Sequence, residues 1–249
     1  MTQVSAMAQV NLQTSAKTPS KPWIRLSLVL MAAFVVGCFP VGPIERRIES
    51  QLPKYLGPAD AYDVEIEGLR VRNNEADRVL AIGSGVRPEG APVLERLELD
   101  LRGVAYNRNQ GRLESVDSAQ AAVQITEEAL ATFLESHRNV REASIDLQTP
   151  NAATVRIRPT FSGFAAPPGV TVDATGQLVG RGTQVSFSVS EVKAAGIDLG
   201  DGAARRVSEE INPLVDLADL PVVLTVKDVR VEADMIRLEV TGDPTSFQL

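Results

Sequence analysis

Nucleophilic and metal-binding chemistry is restricted by the side chains available, because the chain contains one histidine, His137, and one cysteine, Cys38. A Cys-x-x-Cys zinc site, a histidine-rich metal cage and a disulfide framework all need more of these residues. A Ser-His-Asp triad would have to use His137, which we expect at an exposed helix end beside Arg138. The sequence therefore predicts no metal site and no cofactor.

Motifs of lipid hydrolases are not found either. Residues 82–86 read Ile-Gly-Ser-Gly-Val, which lacks the spacing of the Gly-x-Ser-x-Gly nucleophile elbow. The carboxylate pairs Glu127–Glu128 and Glu209–Glu210 are adjacent in sequence, so their members point to different sides of predicted helices and indicate solvated charge. We expect no catalytic residue and no enzymatic activity.

Cys38 follows a twelve-residue apolar run, residues 26–37. The run suits the apolar region of a signal peptide, about 7–15 residues, and is short for a membrane span, which needs about 20. Residues 35–38, Val-Val-Gly-Cys, resemble the lipobox of bacterial lipoproteins, in which cleavage precedes the cysteine and its thiol carries diacylglycerol. An uncleaved anchor helix is the alternative. Both predict a membrane tether outside the cytoplasm.

These features divide the chain into a signal peptide or anchor at residues 1–37, a short tether at 38–43 and a single domain at 44–249. Without residues 1–37 the chain keeps 22 basic and 32 acidic residues, a net charge of −10 against −7 for the whole chain. Such a surface repels phosphate backbones and anionic headgroups. We therefore expect no nucleic-acid partner.

Period-two alternation of apolar and polar residues runs through most of the domain, for example at 62–72, 97–101, 119–125 and 222–240. Alternation places the apolar side chains of a strand on one face, which is typical of antiparallel sheets with one solvated face. Turn signals such as Thr175-Gly176 separate the runs.

Three short helices accompany the predicted strands. The first follows Pro43, the second is capped by Thr126 and ends near His137, and the third begins near Asp201. So few helices cover only part of the apolar sheet surface, and the sheet must also close on itself or on something apolar. The pattern leaves open whether the interior is a packed sandwich or a ligand cavity.

Several stretches resemble the LmeA-like family of bacterial envelope phospholipid-binding proteins. The clearest is Ile-Asn-Pro-Leu at 211–214, followed by Asp-Leu-Pro at 219–221 and by strands 224–231 and 236–242, the last ending in Thr-Gly. The segments 99–104, 111–116 and 121–130, and the opening helix followed by 64–68, are also similar. The likeness spans about residues 44–243.

The resemblance implies an α+β domain of the tubular lipid-binding type, related to the BPI-like superfamily. In that fold a strongly curved antiparallel β-sheet wraps around helices and forms an apolar tunnel for acyl chains. The resemblance thus favours a cavity over a packed sandwich. It supplies no catalytic motif.

Candidate tunnel-lining residues follow from the inward strand faces and the helix after Thr126, with ordinary core packing as the alternative for each. Ala119 and Ala121 leave room where bulky residues would fill a core. The apolar loop 163–169 predicts a tunnel lip at Phe164 that touches the bilayer, or else a rigid proline turn with Phe164 tucked in. The candidate lining residues are Leu97, Leu99, Leu101, Ala119, Ala121, Val123, Ile125, Leu130, Phe133, Leu224, Val226, Ile236 and Leu238.

The sequence thus predicts a lipoprotein of the cell envelope, tethered on the extracytoplasmic (periplasmic) side through Cys38, that holds phospholipid acyl chains for presentation or transfer. Burial of one CH₂ contributes about 0.8 kcal/mol, so acyl binding needs no charge pairing. Zwitterionic or neutral lipids suit the acidic domain better than anionic ones. The alternative is a non-catalytic scaffold domain that docks other envelope proteins.

Overall fold

The computed structural model describes residues 42–107, 112–161, 164–165, 169–218, 220 and 223–247, without the side chains of residues 112, 161, 164, 165 and 247. Cys38 and the lipobox lie outside the described residues. No helix in the described ranges is long and apolar enough to cross a membrane.

Strands dominate the chain order; two helices precede the first strand, and two more interrupt the series of strands. The helices are α1 (Gly42–Glu49), α2 (Pro53–Leu56), α3 (Glu127–Glu135) and α4 (Gly200–Ile211), with a 3₁₀ turn at Pro244–Phe247. The strands are β1 (Ala61–Glu67), β2 (Glu75–Val86), β3 (Leu94–Asn107), β4 (Arg112–Ser115), β5 (Ser118–Thr126), β6 (Val140–Gln148), β7 (Ala152–Phe161), β8 (Phe164–Ala165), β9 (Val172–Arg181), β10 (Gln184–Ala194), β11 (Ile197–Asp198), β12 (Val215–Asp216), β13 (Leu224–Glu232) and β14 (Met235–Gly242).

The strands form two antiparallel sheets. The first has the order β1-β2-β3-β5-β14-β13, with β4 paired to β3. The second has the order β11-β10-β9-β7-β6, with β12 paired to β10 and β8 to β7. The α+β class is confirmed. The single wrapped sheet that the resemblance implies is replaced by two sheets, and neither closes on itself because each is a linear series with two edges.

The two sheets meet where strand β13 crosses the ends of two hairpins in the second sheet. Val226 N–H donates to Gly182 O at 2.8 Å, and Val231 N–H donates to Pro150 O at 2.8 Å. Gly180 allows the close approach, since a Cβ there would lie 2.6 Å from Val226 Cγ1. One hydrophobic cluster therefore includes buried residues of both sheets.

The predicted helices are confirmed, and each packs on a strand. Thr126 caps α3, because its Oγ1 accepts from Ala129 N–H at 3.2 Å. Helix α3 packs mainly on β6 and α4 on β10, while α1 lies along β1. The apolar side of α4 ends in Ile211, which is fully buried.

Strand β2 is not identified by the period-two pattern. Its inward positions are filled partly by small residues, Ala76, Ala81 and Gly83, while Leu80 and Ile82 occupy the outer face. The hydrophobic contrast between the two faces is therefore nearly lost in the sequence, and the strand is decided by its pairing with β1 and β3.

Candidate functional site

The apolar face of the first sheet is built from rows of side chains that cross its strands. In an antiparallel ladder, directly opposed residues project from the same face, so the register defines each row. We name each row by its β3 residue. The Leu97 row is Tyr62, Gly83, Leu97, Val123, Leu238 and Val229.

Two further rows have the same form. The Leu99 row is Val64, Ala81, Leu99, Ala121, Val240 and Val226, and the Leu101 row is Ile66, Val79, Leu101, Ala119, Gly242 and Leu224. A shorter row joins Ile125, Ile236 and Val231. All the strand residues that the sequence nominates as tunnel lining therefore lie on one continuous face.

Burial differs among these residues. Ile125, Ile236 and Leu238 are fully buried, and Leu99 is half-buried against the hydrophobic cluster. The other nominated strand residues, Leu97, Leu101, Ala119, Ala121, Val123, Leu224 and Val226, are buried with 2–8% exposure. The face is thus apolar and largely shielded from water, and whether lipid contacts it remains a prediction.

Small residues are concentrated in the middle of the face. Ala81 and Ala121 flank Leu99 in its row, and Ala119 is followed by Gly242 in the next. Gly83 is covered by the Tyr62 ring, because a Cβ there would lie 2.8 Å from Tyr62 Cε1. These small side chains lower the surface of the sheet beside the larger side chains of the same rows.

The Tyr62 hydroxyl fixes that ring at the edge of the face. It donates a 2.7 Å hydrogen bond to Gly57 O, and burial raises the pKa of Tyr62 to about 12. The hydroxyl therefore stays protonated at physiological pH, and Tyr62 presents its ring to the apolar face and its polar end to the backbone.

Helix α3 contributes one nominated residue to the interior and turns the other away. Leu130 and Leu134 are buried, with 1% and 0% exposure. Phe133 is half-buried and packs edge-to-face on His137, with ring centroids 5.2 Å apart. Leu134, the next residue, lies on the inward side of the helix instead.

The opposite face of the first sheet is charged. Arg78 Nε donates to Asp100 at 2.9 Å, and its Nη1 donates to Glu67 at 3.0 Å. The hydrogen bond from Arg78 lowers the pKa of Asp100, and a second arginine, Arg102, adds to the effect. The charged groups of the sheet therefore lie opposite the row face, although Leu80 and Ile82 share their side.

Residues 42–241 match the family model described as LmeA-like phospholipid-binding. The chain belongs to the LmeA-like phospholipid-binding family. No curated protein and no solved structure matched the chain.

The Asn-Pro-Leu segment of this LmeA-like chain is held against strand β10. Asn212 follows α4, and its side chain pairs with the backbone of Phe187 in β10: Phe187 N–H donates to Asn212 Oδ1 at 2.6 Å, and Asn212 Nδ2 donates to Phe187 O at 2.9 Å. Leu214 N–H then donates to Val185 O. The segment completes the edge of β10 before β12 begins, so its role in the structure is architectural.

The sequence analysis did not predict four glutamates of this LmeA-like domain that accept hydrogen bonds from backbone N–H groups of edge strands. Val64 N–H donates to Glu49 and Ile66 N–H to Glu45, both from edge strand β1 to helix α1. Leu147 N–H donates to Glu127 and Ala143 N–H to Glu135, from edge strand β6 to helix α3, at 2.7 and 2.9 Å. A helix that precedes an edge strand and carries glutamates on one side is the signal that finds them.

The other residues considered from the sequence are the candidates for a metal site or for catalysis and the predicted tunnel lip. No group of three or more His, Cys, Asp or Glu residues suited to a metal ion occurs among the described side chains. His137 contacts Phe133 O through Nδ1 at 3.2 Å, at the end of α3. Phe164 lies in the short strand β8, opposite Phe161, and its side chain is outside the described part of the structure.

Proposed function

We propose that this chain is a membrane-tethered phospholipid-binding protein of the cell envelope. It holds acyl chains against the row face of the first sheet and presents or transfers them during envelope biogenesis. The observation that carries the proposal is the family match over residues 42–241, which coincides with the domain that contains the row face.

The row face supports the acyl-chain part of the proposal. Its rows extend over β1, β2, β3, β5, β14 and β13, and neighbouring strands are about 4.8 Å apart, so the face spans roughly 24 Å across the sheet. An acyl chain lying there contributes about 0.8 kcal/mol for each CH₂ removed from water. The apolar tunnel is the form of this site that the family resemblance favours.

The N-terminal region supports the tether. Processing before Cys38 leaves five residues, 38–42, up to the start of α1, which span at most about 17 Å when extended. A tether this short holds the domain at the bilayer surface, on the extracytoplasmic side. Metabolic labelling with a palmitate analogue tests it: labelled wild type and unlabelled Cys38→Ala support lipidation, whereas equal labelling of both contradicts it.

A photo-crosslinking experiment tests lipid binding with the full-length protein in phosphatidylcholine vesicles. The vesicles carry a trace of phosphatidylcholine with a diazirine in one acyl chain, and crosslinked peptides are mapped by mass spectrometry. Crosslinks on β2, β3, β5 and β14 support the proposal. Crosslinks confined to residues 1–41, which any membrane anchor would give, overturn it.

A scaffold domain of the envelope is the second candidate. The complete burial of Ile125, Ile236 and Leu238 favours it, because that part of the interior is closed by protein alone. In the same experiment a scaffold gives no crosslinks within residues 42–249.

A further inference from the structure

A polar groove lies between strand β10 and helix α4. Its volume is about 330 Å³, and it is open to solvent. Along β10, strand β12 pairs with residues 184–185 and β11 with residues 193–194, so no strand among the described residues pairs with the middle of this edge, and α4 lies beside it. The polar residues that line the groove are Asp201, Arg205, Glu209, Ser188, Ser190 and Ser208.

The charges in the groove alternate and are unpaired. Asp201, Arg205 and Glu209 stand at i, i+4 and i+8 of α4, on one side of the helix with a rise of about 6 Å between them. Such spacing commonly produces ion pairs, yet none of these three side chains makes an ion pair or hydrogen bond with another described residue. The guanidinium and both carboxylates are therefore available to a ligand.

The serines add neutral donors beside the arginine. Ser208 Oγ accepts from Asn212 Nδ2 at 3.0 Å, which leaves its own hydrogen free to be donated. Ser188 makes no hydrogen bond through its side chain within the described structure. Arginine and hydroxyl groups together are the donors that bind phosphate oxygens, and two carboxylates beside them suit an ammonium group.

The groove also borders apolar surface. Val189 and Ala204, which line it, pack against the hydrophobic cluster. Ile197 and Leu199 precede α4 and are 68% and 46% exposed. An amphipathic ligand whose polar part lies in the groove would thus find apolar side chains next to it.

We infer that this groove binds the phosphoammonium headgroup of a zwitterionic phospholipid, with the phosphate at Arg205, Ser188 and Ser208 and the ammonium at one of the two flanking carboxylates, Asp201 or Glu209. The inference rests on the proposed lipid-binding function and adds the headgroup class to it. A purely anionic headgroup is disfavoured, because the groove carries two carboxylates for one guanidinium. A lipid without phosphate gains nothing from the groove.

The test uses the full-length protein in phosphatidylcholine vesicles with three trace diazirine lipids: phosphatidylethanolamine, phosphatidylglycerol and diacylglycerol. Crosslinking yield is counted only within residues 42–249. We expect the phosphatidylethanolamine yield to fall at least about tenfold in Arg205→Ala, the size typical of losing one charge-assisted hydrogen bond. The diacylglycerol yield should not change. The matched control is Arg206→Ala, which removes an equally exposed neighbouring arginine that does not line the groove.

Further arms identify the ligand. The double variant Asp201→Asn, Glu209→Gln should lower the phosphatidylethanolamine yield and raise that of phosphatidylglycerol. Equal effects of Arg205→Ala and Arg206→Ala, or equal wild-type yields for all three lipids, overturn the headgroup site while leaving acyl binding intact. If the wild-type protein gives no crosslinks within residues 42–249 with any of the three lipids, the proposed function itself is overturned. Competition by inorganic phosphate as strong as that by phosphoethanolamine would assign the groove to free phosphate and contradict the inference.

Discussion

The side chain of Asn212 pairs with the backbone of Phe187 in the place of a neighbouring strand. Its amide side chain accepts from Phe187 N–H at 2.6 Å and donates to Phe187 O at 2.9 Å, as a paired β-residue would. Phe187 itself is fully buried, so its backbone groups cannot turn to water instead. The loop after α4 is thereby locked to β10 beside the polar groove.

We expect Asn212→Ala to lower the free energy of unfolding by about 2–4 kcal/mol, because it leaves two buried backbone groups without partners. Urea denaturation measures the loss. The control is Asn139→Ala, whose side chain makes an exposed hydrogen bond to Glu210 and whose loss should cost less than about 1 kcal/mol. A similar loss in both variants would show that the Phe187 pairing does not stabilise the fold.

Glu127 and Glu135 protect the free edge of the second sheet, which would otherwise expose unpaired N–H groups. Glu127→Ala should speed hydrogen exchange of the Leu147 amide about tenfold, the factor for one lost hydrogen bond of about 1.4 kcal/mol. Exchange at Ala143 should respond to Glu135→Ala in the same way. Glu128→Ala changes an exposed neighbour in the same first turn and should leave both amides unaffected.

Gly180 sets the distance between the sheets. In Gly180→Ala the new Cβ would lie 2.6 Å from Val226 Cγ1 and 3.0 Å from Val229 Cγ2, so β13 must shift away from β9. We expect a destabilisation of about 1–3 kcal/mol, as for other overpacked sites. Thermal unfolding beside Gly202→Ala, where a Cβ meets nothing within 4 Å, provides the comparison. Unchanged stability of Gly180→Ala would mean that the sheets are not tightly packed there.

Ala121 offers a test of the row face that separates lipid contact from packing. Ala121→Leu fills the space between Leu99 and Val240, so an acyl chain that lies there should be displaced and its crosslinking yield should fall severalfold. Ala122→Leu adds the same volume on the opposite face of β5. Both proteins are compared well below their unfolding temperatures, and an undiminished yield in Ala121→Leu would exclude this part of the face from lipid binding.

Asp100 predicts a specific acid sensitivity. Arg78 lowers the pKa of Asp100 in the folded protein, so the pair stabilises the fold above the unfolded-state pKa of about 3.9 and the contribution is lost as pH falls through the lower folded value. The free energy of unfolding of Asp100→Asn should therefore fall less steeply than that of the wild type between about pH 4 and about pH 2. Urea denaturation at several pH values in this range measures it. Asp63→Asn, at an exposed position of β1, should keep the wild-type slope.

The strands that alternate strongly could be predicted from sequence because one face of each contacts the core and the other contacts water. This holds for β3, β5 and β14, and it places Leu97, Val123 and Leu238 correctly on one face. The capped start of α3 was equally predictable, since the Thr126 hydroxyl acts on its own helix. Local chemistry was sufficient for these elements.

Other features depend on partners that are distant in the chain. Strand β2 needs its neighbours, because Leu80 and Ile82 blur its alternation, and Phe133 turns toward His137 although it shares the apolar pattern of Leu130. The polar groove combines serines of β10 with charged residues of α4, which follows β10 and β11 in the chain. No sequence motif links the two sets of residues.

The sequence by itself determined the α+β class, the apolar strand faces, the capped helix and the resemblance to a lipid-binding family. Only the tertiary structure decided that the strands form two open sheets, that glutamates seal their edges and that Arg205 stands unpaired between two carboxylates. The physical reason is range: alternation and capping act between residues a few positions apart, whereas strand pairing, edge sealing and groove formation depend on which distant segments the fold brings together.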